Sequence, residues 1–140
     1  MDTEFLKGKW IQTKTENMDG ILSKMGYSWP VRTVAGAMGI TLTISDTEDC
    51  ISTRFDTVLK SSQQNLSFHH PVHDVGLTKS EKFIVSPITI IDRTMKHSTH
   101  YETPSVSLDI KNTYERNGNK LVLTQIIDDV VGCRHFEKRE

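Results

Sequence analysis

Leu121-Val122-Leu123-Thr124-Gln125-Ile126-Ile127-Asp128-Asp129-Val130-Val131-Gly132-Cys133-Arg134-His135-Phe136 reads as parts of two β-strands, Lys120 to Ile127 and Val130 to Lys138. Successive side chains of a strand point to opposite faces, so Leu121, Leu123, Gln125 and Ile127 share one face, as do Val130, Gly132, Arg134 and Phe136. Apolar neighbours mark both faces as inner ones. Arg134 is therefore a guanidinium where the pattern asks for an apolar group. An unpaired charge inside a protein costs several kcal/mol. Either Arg134 lies near a sheet end and extends to water, or a ligand with a polar or acidic head pairs with it.

Upstream, Asn117-Gly118-Asn119 supplies turn chemistry between Val106 to Glu115 and Lys120 to Ile127, predicting an antiparallel hairpin. Ile110, Asn112 and Tyr114 fall on one face of its first strand. Both long strands thus put amides or a phenol among apolar residues, and a dry core would charge about 1–3 kcal/mol for each group left unpaired. Either these groups bond one another or the barrel rim, or they face a cavity holding water and a ligand.

Further short β-rich runs follow the spacing of a sandwich or barrel: Lys9 to Lys14, Ile40 to Ser45, Cys50 to Phe55, Asn65 to His70, Lys82 to Ser86 and Ile88 to Lys96. One helical patch interrupts them. Asn17 can cap a helix carrying Met18, Ile21, Leu22 and Met25 at helical spacing, with Gly26 as a left-handed stop. Ser28 and Pro30 start a second, shorter helix with Val31, Val34 and Ala35 as its apolar side, closed by Gly36 and Gly39.

A chain of 140 residues can bury a core without staples. Seventeen basic against eighteen acidic residues, spread along the chain to a net −1, do not form a nucleic-acid footprint. No run reaches membrane-spanning length, and the acidic start Met1-Asp2-Thr3-Glu4 is unlike a secretory signal, so a cytoplasmic protein is expected. Cys50 and Cys133 read as free thiols.

Gly8-Lys9-Trp10, Glu16-Asn17-Met18-Asp19, Ile21-Leu22 and Met25-Gly26 resemble the N-terminal signature of the intracellular lipid-binding proteins, the group of fatty-acid-binding and cellular retinoid-binding proteins. Leu121 to Thr124, Asp128 to Val131 and Cys133 to Lys138 resemble that family's closing hairpin. The resemblance implies an all-β, ten-stranded antiparallel up-and-down barrel, with a helix-turn-helix lid at about residues 16–38 between the first two strands. One such domain would fill residues 1–140. It also implies that an interior Arg-x-Tyr pair on the last strand and a second interior arginine hold the ligand's acidic head.

Here Arg134 matches the first residue, Phe136 replaces the tyrosine, and the second arginine's place falls on Asn112 or Tyr114. The stretch His97 to Ser105 looks longer than the family pattern. The implied function is carriage of a long-chain fatty acid by a monomer, with Arg134, Asn112, Tyr114 and Gln125 at the polar end. Met18, Leu22, Trp29 and Val31 on the lid, Leu59 in the portal loop, and Leu123 and Phe136 inside would form the apolar wall. Loss of the second arginine and the tyrosine keeps open a carrier of a neutral or bulky hydrophobe such as a retinoid or sterol-like lipid.

Lys24 and Arg32 could form a small basic face on the lid for transient contact with anionic membrane. His69, His70 and His73 offer metal-ligand chemistry, and a metal-binding protein or enzyme built on them is the alternative from another class. Adjacent histidines on a strand point apart, so no metal site is predicted. No nucleophile stands with an obvious base and orienting acid, so neither an enzyme nor a cofactor is expected.

Overall fold

The computed structural model describes residues 3–75 and 80–139. In chain order the elements are β1 (Gly8–Glu16), α1 (Met18–Lys24), α2 (Trp29–Ala37), β2 (Thr41–Asp46), β3 (Cys50–Asp56), β4 (Ser61–Ser67), β5 (Val72–Val75), β6 (Lys82–Val85), β7 (Thr89–Ile91), β8 (Thr94–Glu102), β9 (Ser107–Asn117), β10 (Lys120–Ile127) and β11 (Val130–Arg139). Ten strands form one antiparallel path, β4-β3-β2-β1-β11-β10-β9-β8-β6-β5, and β7 pairs with β8. First and last strands meet as β1 and β11, so the sheet curls into a nearly closed barrel. The expected ten-stranded barrel, with two helices between its first two strands, is the fold observed.

Several boundaries differ from the sequence reading. Ile88 to Lys96 is a hairpin, because Asp92 and Arg93 both take left-handed backbone, φ 49° and 61°, as a two-residue turn between β7 and β8 requires. The absence of Gly and Asn at that turn conceals it in the sequence. Pro87, which cannot donate to a ladder, lies between β6 and β7, both of which pair with β8. His97 to Ser105 is no added loop at its start, since it opens with the second half of β8. The strand expected at Asn65 to His70 ends at Ser67, and β5 begins after the His69-His70-Pro71 bend.

The helix α1 starts at Asn17, which is left-handed with φ 50° and makes no side-chain cap. Its amide instead donates to the Val131 carbonyl at 3.0 Å, tying the lid to β11. Gly26 ends the turn with φ 93°. Ser28 and Pro30 start α2 as expected, but α2 spans nine residues against seven for α1 and continues through Gly36. Gly132 explains how α1 lies so close to β11. A Cβ there would meet Ile21 Cγ1 at 2.6 Å, Met18 Sδ at 3.0 Å and the Asn17 carbonyl at 3.1 Å.

Apolar packing divides into two groups. One fills the barrel end around Leu6, Trp10, Leu42, Met95, Leu121 and Phe136. The other joins Met18 and Ile21 of α1 to Tyr101, Ile110 and Ile127. Trp10 is fully buried, donates its indole N–H to the Leu6 carbonyl at 2.9 Å, and has Arg116 and Lys138 5.3 and 5.8 Å from its ring.

Candidate ligand cavity

Strand register assembles the polar groups predicted from the sequence on one inner wall. Tyr114 lies opposite Leu123, and Leu123 opposite Arg134; one step along, Asn112 lies opposite Gln125, and Gln125 opposite Gly132. The Arg134 guanidinium is largely buried, and burial lowers its pKa from the ordinary value while nearby Tyr114 works against that shift. Its Nη1 donates to Gln12 Oε1 at 3.0 Å. Gln12 lies opposite Phe136, the next inward residue of β11, and the β1–β11 register shifts just beyond it, between Gln12 and Lys14. Among the described residues Arg134 makes no ion pair. Its guanidinium thus retains donors for an acid.

The amides form a network. Gln125 Nε2 donates to Asn112 Oδ1 at 2.9 Å, and Asn112 Nδ2 donates to Thr99 Oγ1 at 3.1 Å and approaches His97 Nδ1 at 3.4 Å. The Tyr114 ring stacks on His97 with centroids 6.0 Å apart, and its buried phenol has its pKa raised by desolvation, opposed by Arg134. His97 is held neutral at ordinary pH, its pKa pulled down to about 4 by burial alone.

Of these groups Arg134 and Gln125 line a cavity of about 430 Å³, bounded also by Met18 and Leu22 of α1, Phe55 of β3 and Leu123, with Thr57 and Lys60 on its lining, while Asn112, Tyr114 and His97 are buried beside Gln125 and do not line it. A second hollow, of about 210 Å³ between β1 and the helices, also reaches Arg134. Phe136 is buried beyond, in the packed barrel end. The volume and chiefly apolar walls suit a small hydrophobic molecule, with Gln125 and Arg134 as polar groups on one side and Thr57, Lys60 and Ser62 on the other.

Besides Phe136, three expected wall residues lie elsewhere. Trp29, Val31 and Leu59 are 67 %, 46 % and 75 % exposed and do not line this cavity. The reason for the first two is that α2 buries none of its residues. Leu59 sits in a β3–β4 turn held by Thr57 Oγ1, which accepts from the backbone N–H groups of Leu59 and Lys60. Arg32 is not an open basic group either: it donates to Asp19 Oδ1 at 2.9 Å and to the Tyr27 carbonyl at 2.6 Å, fastening α2 to α1. Lys24 lies 4.0 Å from Asp128.

The sequence reading missed the anchorage between the helices. Tyr27, in the link from α1 to α2, and Tyr101 of β8 both donate to Glu81 Oε2, at 2.6 and 2.7 Å. Burial, then the Glu81 carboxylate, push both phenols up, Tyr101 to about 12. Gln12 was also missed, although its alternation with Trp10 already placed it on the inner face. Among the described residues no group of three His, Cys, Asp or Glu side chains can hold a metal, so His69, His70 and His73 do not form such a centre. Cys50 and Cys133 are free thiols.

No family model matches the chain. A fatty acid-binding protein of Schistosoma japonicum is 22 % identical over 131 residues, 94 % of this chain and 96 % of that protein. Among solved structures, fatty-acid-binding protein 1 of Echinococcus granulosus superposes with a TM-score of 0.85 at 21 % identity, covering 99 % of this chain and 100 % of that one. A Schistosoma mansoni fatty acid binding protein in complex with arachidonic acid gives 0.83 at 18 % identity, covering all of both chains.

Proposed function

We infer that this chain is a member of the intracellular lipid-binding protein family and works as a carrier that encloses a long-chain fatty acid within its barrel. One observation carries the reading: a largely buried guanidinium, Arg134, borders an apolar cavity and has only the neutral amide of Gln12 as a hydrogen-bond partner among the described residues. A carboxylate placed there gains a charge-assisted bond worth about 1.5–3 kcal/mol. The alkyl chain adds about 0.8 kcal/mol for each methylene buried against Met18, Leu22, Phe55 and Leu123. Curated relatives named as fatty acid-binding proteins, matched over nearly their whole length, support the same ligand class.

The carrier is non-enzymatic, monomeric and cytosolic in this reading, one domain over residues 1–140. Among the described residues no helix is long and apolar enough to cross a membrane. Ligand exchange takes place beneath the lid. Transient membrane contact there would use the exposed Trp29, Val31 and Val34 of α2 rather than Arg32, which is engaged within the lid.

Native mass spectrometry of the freshly purified protein, with solvent extraction of what accompanies it, tests this function. Fatty acid should co-purify with the native protein and be lost or strongly depleted in Arg134→Ala. A protein that refuses fatty acids and retains a retinoid or sterol-like lipid would transfer the assignment to a carrier of neutral hydrophobes.

A further inference from the structure

The carrier reading leaves one buried polar atom unused. His97 is 8 % exposed, faces the barrel interior with Met95 and Thr99, and its Nε2 has no hydrogen-bond partner among the described residues. Its protonation follows from its neighbours. Gln125 donates to Asn112 Oδ1, which fixes the orientation of the Asn112 amide and turns its Nδ2 toward Thr99 Oγ1 and His97 Nδ1. Nδ1 therefore accepts, and in the neutral ring Nε2 carries the proton. Burial closes it to bulk solvent. Nε2–H is thus a positioned donor that lacks an acceptor, in a region where leaving a donor unpaired costs about 1–3 kcal/mol.

Arg134 and His97 are separated along the inner wall by β9 and β10, a span of three strand spacings or about 14 Å of sheet. A ligand whose carboxylate sits at Arg134 would bring the middle of its chain, not its head, near His97. An unmodified methylene there offers the imidazole N–H nothing. A hydroxyl, keto or epoxide oxygen offers an acceptor, and Tyr114, stacked on His97, supplies a further phenol on the same wall.

We propose that the preferred ligand is an oxygenated fatty acid, with its carboxylate at Arg134 and a mid-chain oxygen accepting the hydrogen bond of His97 Nε2. This rests on the carrier reading and narrows its ligand class. Simple fatty acids then bind without that bond. Discrimination is of the kind a site gains when a substrate oxygen satisfies a buried group that the plain analogue leaves unpaired.

Displacement titrations with stearic acid and a set of positional isomers of hydroxystearic acid test it on the native protein. At least one mid-chain isomer should bind about tenfold or more tightly than stearic acid. In His97→Phe that ratio should fall to near one, whereas His97→Gln, which keeps an N–H donor, should retain part of it. Stearic acid bound with no isomer preferred would overturn the proposal and leave the carrier reading standing, as expected if a water satisfies Nε2. A preference that survives in His97→Phe would overturn the role of His97. Failure of every acid to bind would overturn the carrier reading itself.

Discussion

Arg134 carries opposite consequences for stability and for binding. Its charge is desolvated in the folded protein and receives only an amide in return, whereas replacing buried ionic groups with apolar ones of similar volume is often neutral or stabilising by about 1–4 kcal/mol. Arg134→Met should therefore leave the ligand-free protein at least as stable as the native one, its melting temperature unchanged or higher, while weakening oleate binding about 10–100-fold. Calorimetric melting beside an isothermal titration checks both. A variant that melts markedly lower with affinity intact would make Arg134 a structural residue. The sequence made Arg134 legible because period-two alternation is strict within a strand. It did not disclose Gln12 as the partner, since β1 and β11 are distant in sequence and meet only when the barrel closes.

At the level of elements, the contact between α1 and β11 sets where the lid rests. Gly132 is needed there because the Asn17 carbonyl and the Ile21 and Met18 side chains occupy the space a Cβ would take. Gly132→Ala should destabilise the protein by about 1–3 kcal/mol, the usual cost of overpacking, visible as a lower urea midpoint at unchanged denaturant slope. An unchanged midpoint would mean that α1 can shift off β11 without loss. Helical spacing and the Ser28-Pro30 start predicted both helices, but not their outer surroundings. The family resemblance implied Trp29 and Val31 as wall residues of the lid, and α2 instead leaves them exposed. In the proposed carrier role these exposed residues, with Val34, are the ones that would meet a membrane. The hairpin at Asp92-Arg93 escaped for another reason, a left-handed turn formed without Gly or Asn.

Across the whole molecule, β1 and β11 close the sheet, apolar residues fill one end, and α1 lies beside a cavity that Arg134 and Gln125 line from the last two strands. The overall architecture was legible because alternation, turn residues and the helical patch all agreed. Cavity contents were less so, because a buried amide network depends on registers across β8, β9 and β10 that no local pattern states. The central claim is that a fatty acid lies inside with its carboxylate on Arg134. Carbon NMR of carboxyl-labelled oleate added to the native protein and to Arg134→Met measures that most directly. The account predicts a distinct bound carboxyl resonance that stays ionised to lower pH than free oleate in the native protein, and its loss or a return to ordinary titration in the variant. The same bound resonance and titration in both proteins, or no bound resonance in either, would contradict it.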